Sequence, residues 1–464
     1  MQIWPLANAD SGCPLTRLND FISGTGFRAR VIRTVAGTSG VQLGGMAFAF
    51  LIGAQLAHGI GPAGYGIYSV GMSIASLLGI PTEFGLPQLL TREVTAARVR
   101  GDWPRMLGAI LFGSSAVALS SIAIGVCGEI VLWTTDLVSN PEQREVLGWG
   151  MLLIPVVGQT KLCGVSLQGL GSITLGQFAN LLLRPGLFAL SLFLAVYAFS
   201  TRLTPSTAMG LQVSSAFVTL LAASILLFSF LPKEVRVAKP VFFTRSWIVS
   251  ALPLAITEGM RVVQGNMAII LLGLLATKTE VGLFRVADST ASMCGLAISI
   301  LNVVAQPLIA GLWAGAEHAR LQRLVGVFAM IMTVGTLAAV IPLLLGGSEL
   351  LSLVFGPRFA PAESTLVISC LSLAPYALFG PCMVLLNMTH NERRVTFAIL
   401  CSVIANLLVS AILIPRFGAP GAAWGSVAGA TIWNGILWLN ARKLMGIDTS
   451  VFGLLIERLR KPAE

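Results

Sequence analysis

The chain has 464 residues, of which 11% are Asp, Glu, Lys or Arg and 55% are hydrophobic before its 49 glycines are counted. Soluble domains carry about 25% charged residues, and so few charges cannot cover a surface enclosing this much apolar side chain. The composition excludes a water-soluble protein and reads as an integral membrane one. A formal charge of +10, from 30 basic against 20 acidic residues, calls for no nucleic acid, because cytoplasmic loops of membrane proteins keep Lys and Arg whatever the ligand. Six of the seven cysteines sit in apolar stretches, and His58, His318 and His390 are far apart. That argues against disulfides and against a metal site.

Residues 1–30 contain no apolar core of signal-peptide length, so they are expected to form a cytoplasmic segment ahead of an uncleaved first span. A helix crossing the ~30 Å hydrocarbon layer needs about 20 mostly apolar residues. Such stretches lie at 33–57, 65–90, 106–131, 146–168, 173–199 and 207–231. Six more follow at 246–275, 281–309, 324–346, 362–387, 395–415 and 421–441. The alternating pattern of a transmembrane barrel is absent, so the spans are predicted to be helices. Sorting Lys and Arg by loop puts 22 on the side of the N-terminus, Lys161 included, and 5 on the other. Arg184, Arg261 and Arg285 fall within spans. By the positive-inside rule, both termini are expected in the cytoplasm.

The second half echoes the first. Gly66-Ile67-Tyr68-Ser69-Val70 opens span 2, and Gly282-Leu283-Phe284-Arg285-Val286 opens span 8, 216 positions on; Ala75-Ser76 and Ala291-Ser292 keep the register. A parallel repeat of this kind predicts an all-α membrane protein of about twelve helices in two six-helix lobes around a central cavity. The lobes would be 31–231 and 246–445, joined by a basic linker at 232–245 and followed by a cytoplasmic amphipathic tail at 446–464.

Charged residues at membrane depth cost roughly 2.5–3.5 kcal/mol each on insertion scales, and ordinarily face a bundle interior or a wet cavity. Glu258/Arg261 in span 7 and Arg285/Asp288 in span 8 are i, i+3 pairs on one helical face. They read either as packing ion pairs or as cations for an anionic group with carboxylates as counter-charges or ion-coupling groups. Arg184 has no carboxylate within a turn, and Pro185-Gly186 loosens the helix beside it. An unpaired guanidinium at that depth suits phosphate oxygens. Glu83, between Pro81 and Gly85, marks a candidate helix break and a third counter-charge. Gln264, Asn266, Asn302 and Gln306 are candidates for sugar hydroxyls, though the commoner use of any one such amide is a helix-to-helix hydrogen bond. Arg33 is a candidate cation at the cytoplasmic mouth, or an ordinary flanking charge. No Walker loop, nucleotide-binding glycine fingerprint or catalytic triad is present, so the chain reads as neither an ATPase nor another enzyme.

At these residues the sequence resembles bacterial polysaccharide and O-antigen flippases of the multidrug/oligosaccharidyl-lipid/polysaccharide exporter superfamily. The likeness runs from Gly61-Pro62-Ala63-Gly64-Tyr65-Gly66-Ile67-Tyr68 and Glu83-Phe84-Gly85-Leu86 through Gln168-Gly169-Leu170 and Leu182-Leu183-Arg184-Pro185. It continues with Phe355-Gly356-Pro357-Arg358-Phe359, Leu385-Leu386-Asn387-Met388-Thr389-His390 and Ile414-Pro415-Arg416-Phe417-Gly418. Where many such flippases have fourteen spans, twelve are predicted here.

The resemblance implies an inverted-V fold, alternating access and residence in the bacterial inner membrane. Its implied substrate is a polyprenyl-diphosphate-linked oligosaccharide moved from the cytoplasmic to the periplasmic leaflet, with polysaccharide polymerase and export machinery as partners. Arg184, Arg261 and Arg285 would hold the diphosphate. No cofactor is expected beyond a coupling ion, H+ or Na+. The alternatives are an organic-cation antiporter of the same fold, which would favour an acidic cavity, and a membrane glycan polymerase, which would carry a large outward loop.

Overall fold

The computed structural model describes residues 27–135, 138, 140–198 and 202–453, without the side chains of 27–36, 197 and 198. Every regular element among them is helical. Ten helices are long and apolar enough to cross a membrane. The first of these, Gly37–Glu83, has 47 residues and would measure about 70 Å if straight, twice the hydrocarbon thickness. It belongs to α1, Phe27–Glu83, which is broken at Gly61 by a left-handed backbone (φ 66°, ψ −179°) that only glycine adopts freely. Beyond the break the chain folds back, so that the Tyr65 hydroxyl comes within 3.4 Å of where a side chain on Gly53 would start. Helix α1 is therefore two passes, and the polar-flecked last helix completes twelve.

In order, α1 gives spans 1 and 2, with α2 (Leu86–Arg100) prolonging span 2, and α3 (Trp103–Thr134) and α4 (Pro141–Gly169) follow. Span 5 is α5 (Ile173–Phe178), a π-helical turn (Ala179–Leu183), α6 (Arg184–Phe193) and a second π turn (Leu194–Ala198); span 6 is α7 (Pro205–Phe230). A short α8 (Lys233–Val237) leads to α9 (Thr244–Leu275), then α10 (Lys278–Cys294) and α11 (Leu296–Ala314) form span 8. Span 9 is α12 (His318–Phe355). Span 10 is fragmented into a 3-10 turn (Pro357–Ala362), α13 (Glu363–Leu371), α14 (Ala374–Phe379) and α15 (Cys382–Met388). The last two are α16 (Glu392–Phe417) and α17 (Ala419–Met445).

Helix starts follow local chemistry. The side chains of Asp102, Asn140 and Thr277 accept from Arg105 N (3.2 Å), Glu142 N (3.0 Å) and Glu280 N (3.3 Å), satisfying first-turn donors. Thr204 and Thr207 form a reciprocal capping box. Three spans are interrupted, one of them at the break expected beside Glu83. Span 2 stops at Glu83, where Phe84 (φ 42°) and Gly85 (φ 68°) turn left-handed. Span 8 breaks at Gly295, and span 10 breaks before Pro375 and at Gly380-Pro381. In span 10 the prolines supply no amide hydrogen, so the regular ladder cannot continue there.

Spans 2 and 8 cross at their first turns. A Cβ on Gly66 would fall inside van der Waals contact of the Lys278 carbonyl oxygen, and one on Gly282 inside that of the Pro62 carbonyl oxygen. These two glycines are partners in the sequence repeat, as are Pro62 and Lys278. The repeat thus shows in space as a near-twofold crossing, backbone against backbone. Past the end of α17 the chain packs against the bundle: Gln322 holds the Asp448 backbone at both its N–H (2.8 Å) and its C=O (2.7 Å), and Thr449 and Ser450 are buried. The segment expected as an amphipathic tail is packed as far as residue 453, and 454–464 lie outside the described residues, as do 1–26.

Candidate functional site

A cavity of about 360 Å³ opens between spans 2, 4, 5 and 7. It begins at Met72, six residues and so about 9 Å beyond the Gly66 crossing, and runs to Gly85 at the other end of span 2. Glu83, Lys161, Arg184, Glu258, Arg261 and Asn266 all reach it.

Three breaks in helical regularity aim these side chains. The left-handed turn at Phe84-Gly85 ends span 2 beside Glu83, and Gly85 nests against span 7, where a Cβ would come within 2.6 Å of Ala251 O and Ala255 N. In span 5, Pro185 has no N–H to offer the turn below. The preceding turn widens, and Arg184 N–H bonds five residues back to Ala179 O. Such π turns recur at functional sites because they rotate one side chain out of register. Pro253 interrupts the ladder of α9 one turn before Ala255 and Glu258.

Lys161 is the hub. Its Nζ is 2.5 Å from Glu83 Oε2 and 3.8 Å from Glu258 Oε1, so it joins a carboxylate of the first half to one of the second. The first contact is a charge-assisted hydrogen bond; the second is a looser attraction. Glu258 also faces Arg261, at 4.0 Å, but the Arg261 side chain is 65% exposed. An exposed pair at that distance contributes about 0–1 kcal/mol, which leaves Arg261 free to turn to a ligand. Arg184 has no carboxylate within ion-pairing distance among the described residues. Its polar neighbour is Tyr68. With three cations against two carboxylates, the cavity is net positive.

Arg285 and Asp288 lie apart from this cavity, towards the Gly66 crossing. Arg285 has Tyr65, Asp288 and Tyr68 as its electrostatic neighbours, while no Arg285–Asp288 pair within 4.0 Å occurs among the described residues. Tyr68 is stacked on Phe188 (6.4 Å) and Tyr65 (6.4 Å) and has both Arg184 and Arg285 as charged neighbours. Of the three in-span arginines, Arg184 and Arg261 thus line the cavity, and Arg285 sits outside it beside an aromatic stack.

The amides divide differently. Gln264 donates to Ser402 Oγ at 2.9 Å and links spans 7 and 11; Asn266 donates to Val262 O at 2.9 Å and still lines the cavity. The Asn302 side-chain oxygen is buried without a hydrogen-bond partner, and Gln306 is exposed; neither is among the cavity-lining residues. The Arg33 side chain lies outside the described residues. Lys161 corrects the loop sorting, because it is twenty-one residues into a 29-residue helix and belongs with the in-span charges. Its place inside the stretch 146–168 was the signal that could have found it. Among the described residues no group of three His, Cys, Asp or Glu is placed to hold a metal ion.

No curated protein matches the sequence. Among solved structures, the fold is similar to an inward-facing multidrug resistance MATE family transporter of the MOP superfamily (TM-score 0.65, 14% identity, covering 92% of this chain and 100% of that one). It is likewise similar to an outward-facing one (TM-score 0.62, 14% identity, 89% and 95%). The lipid II flippase MurJ in an inward closed conformation matches as well (TM-score 0.65, 10% identity, 92% and 93%). At such identities the likeness speaks for the fold: a multi-pass helical membrane protein with the architecture of MOP-superfamily transporters. The sequence profile of the polysaccharide biosynthesis protein family covers residues 31–313, more than half of the chain, and the protein belongs to that family.

Proposed function

We propose that the protein moves a polyprenyl-diphosphate-linked oligosaccharide from the inner to the outer leaflet of the bacterial cytoplasmic membrane by alternating access. Both termini are then cytoplasmic, and the cavity faces the cytoplasm. The observation that carries this reading is Arg184: a guanidinium at membrane depth, lining a net-positive cavity, with no carboxylate within ion-pairing distance among the described residues. A diphosphate offers several charge-assisted hydrogen bonds in place of its lost hydration. Arg184 and the loosely held Arg261 take its oxygens, and Lys161 is drawn from Glu83 and Glu258 towards the same anion. Those carboxylates keep the empty site from costing as much as three bare cations would.

On this reading the halves 31–231 and 246–445 rock as lobes. The Gly66–Gly282 crossing opens as the Glu83 end closes, and Arg285 comes into reach of the headgroup on the outward side. Asn266 is placed for the first sugar. Glu258 and Asp288 are the candidates for H+ or Na+ coupling on the return stroke. A polymerase and export machinery would consume the product on the far side. An organic-cation antiporter would need a surplus of carboxylates in the cavity, and the residues have the opposite balance.

The test is exchange of a labelled lipid-linked glycan across vesicles containing only this protein. Exchange should occur, and Arg184→Ala should abolish it while leaving the protein folded in the membrane. Unchanged exchange in that variant removes Arg184 from the site, and transport of organic cations instead of glycan removes the whole reading.

A further inference from the structure

Beside the ionic cavity lies a second concavity of a different character. It has a volume of about 420 Å³ and lies between spans 2, 7 and 11, on the outside of the bundle. Its walls are Pro81 and Phe84 from span 2, Leu252 and Ile256 from span 7, and Leu400 and Val403 from span 11, without a charged side chain. Leu252, Ile256 and Leu400 are exposed, so the groove faces lipid. The two spaces share Ile80, Ala255 and Gly259. The partition between them is therefore one side chain thick, and the missing side chain at Gly259 is part of what keeps it thin: a Cβ there would be 2.9 Å from Ile80 Cγ2.

We infer that this groove seats the hydrocarbon chain of the same ligand whose anionic headgroup occupies the cavity, the chain crossing the thin partition at Gly259 once the Ile80 side chain that now packs there turns aside. The inference rests on the reading of the cavity given above and adds where the lipid part goes. A headgroup enclosed among Glu83, Lys161, Arg184 and Glu258 is still bonded to a chain that cannot stay in water, so the chain needs an apolar exit at the same depth. The groove provides one. Along span 7 it runs from Leu252 to Val263, eleven residues or about 16 Å, which is half of the ~30 Å hydrocarbon layer. It therefore matches one leaflet, the leaflet on the Glu83 side. Burial in the groove also gives the ligand an anchor that neither a free sugar phosphate nor a water-soluble cation could use, which makes the lipid a recognised part of the substrate.

The experiment uses the full chain in phosphatidylcholine nanodiscs with two probes, inorganic pyrophosphate and a prenyl diphosphate carrying a photoreactive group on its last isoprene. Illumination should label Leu252, Ile256, Leu400 and Val403 well above Leu119, Ile225 and Leu345, which are exposed on other faces. Ile256→Trp and, separately, Leu400→Trp fill the groove from the lipid side. Each should weaken prenyl diphosphate binding by about tenfold or more and leave pyrophosphate binding unchanged. Labelling no stronger in the groove than on the other faces means ordinary bilayer contact and overturns the proposal, as does prenyl diphosphate binding unaffected by both tryptophans. If pyrophosphate binds but the chain labels elsewhere, only the groove falls. If neither probe binds, the cavity reading falls and the groove with it.

Discussion

Lys161 does what no neighbour in sequence could do for it. An ammonium inside a helix bundle is costly, and the two carboxylates that make it tolerable come from spans 2 and 7, 78 and 97 positions away. Replacing it by Met leaves Glu83 and Glu258 facing a cavity without their shared cation. We expect Lys161→Met to lower stability by about 1.5–3 kcal/mol, measured by thermal unfolding in detergent, and Glu83→Gln in the same chain to restore most of the loss. A fall that the second change deepens instead would mean that Glu83 is held by something else.

Asp448 makes a different case. Burial raises its carboxyl, but the hydrogen bonds from Ser450 Oγ, Trp438 Nε1 and Ser450 N, with Arg442 nearby, outweigh that and hold it below the usual carboxylate range. A depressed folded value stabilises the fold above the ordinary aspartate range near ~3.9, and the stability is lost as pH falls below it. Unfolding followed from pH 7 to pH 3 should show this loss in the native chain and less of it in Asp448→Asn. Arg184 was legible in the sequence because a lone charge in a long apolar run is conspicuous, and Glu258 because Arg261 stands three residues on in the same run. Lys161 lies in such a run too, but eight residues from a helix end it was sorted as a flank and not read as an in-span charge. Nor was the place of Tyr68 legible, since an aromatic in a membrane helix is the commonest of residues and only packing reveals its neighbours.

Among the helices, span 5 shows most directly how sequence irregularity becomes geometry. Pro185 removes one amide hydrogen, the turn above it widens to a π turn, and the Arg184 side chain is rotated to the cavity. Pro185→Ala returns the missing donor and permits an ordinary α-turn. We expect helix content by circular dichroism to be kept while glycan exchange falls by on the order of tenfold or more, as misplacement of a binding group by about an ångström does elsewhere. Full exchange would show that the π turn is incidental. The presence and order of the twelve passes could be read from hydropathy, which integrates over about 20 residues. Their interruptions could not. The break at Gly295 has no proline beside it and no composition change to announce it. The break after Glu83, by contrast, was announced by Pro81 and Gly85.

At the scale of the whole molecule, the crossing of spans 2 and 8 fixes which end is shut. Gly66 and Gly282 allow two backbones to touch, and any side chain there must push them apart. Gly66→Leu and Gly282→Leu are each expected to shift the protein towards the opposite-facing arrangement, seen as a longer distance between spin labels placed at the outer ends of spans 2 and 8, by several ångströms. An unchanged distance in a folded variant would mean that this seam is not what opens. The twofold character of the crossing was foreshadowed by a five-residue echo in the sequence, but the contact itself was not, because a repeat gives relatedness and says nothing about touching.

That seam also has an electrical side. Two peptide backbones pressed together leave no room for water between them, so in this arrangement the crossing at Gly66 and Gly282 offers ions no path between spans 2 and 8.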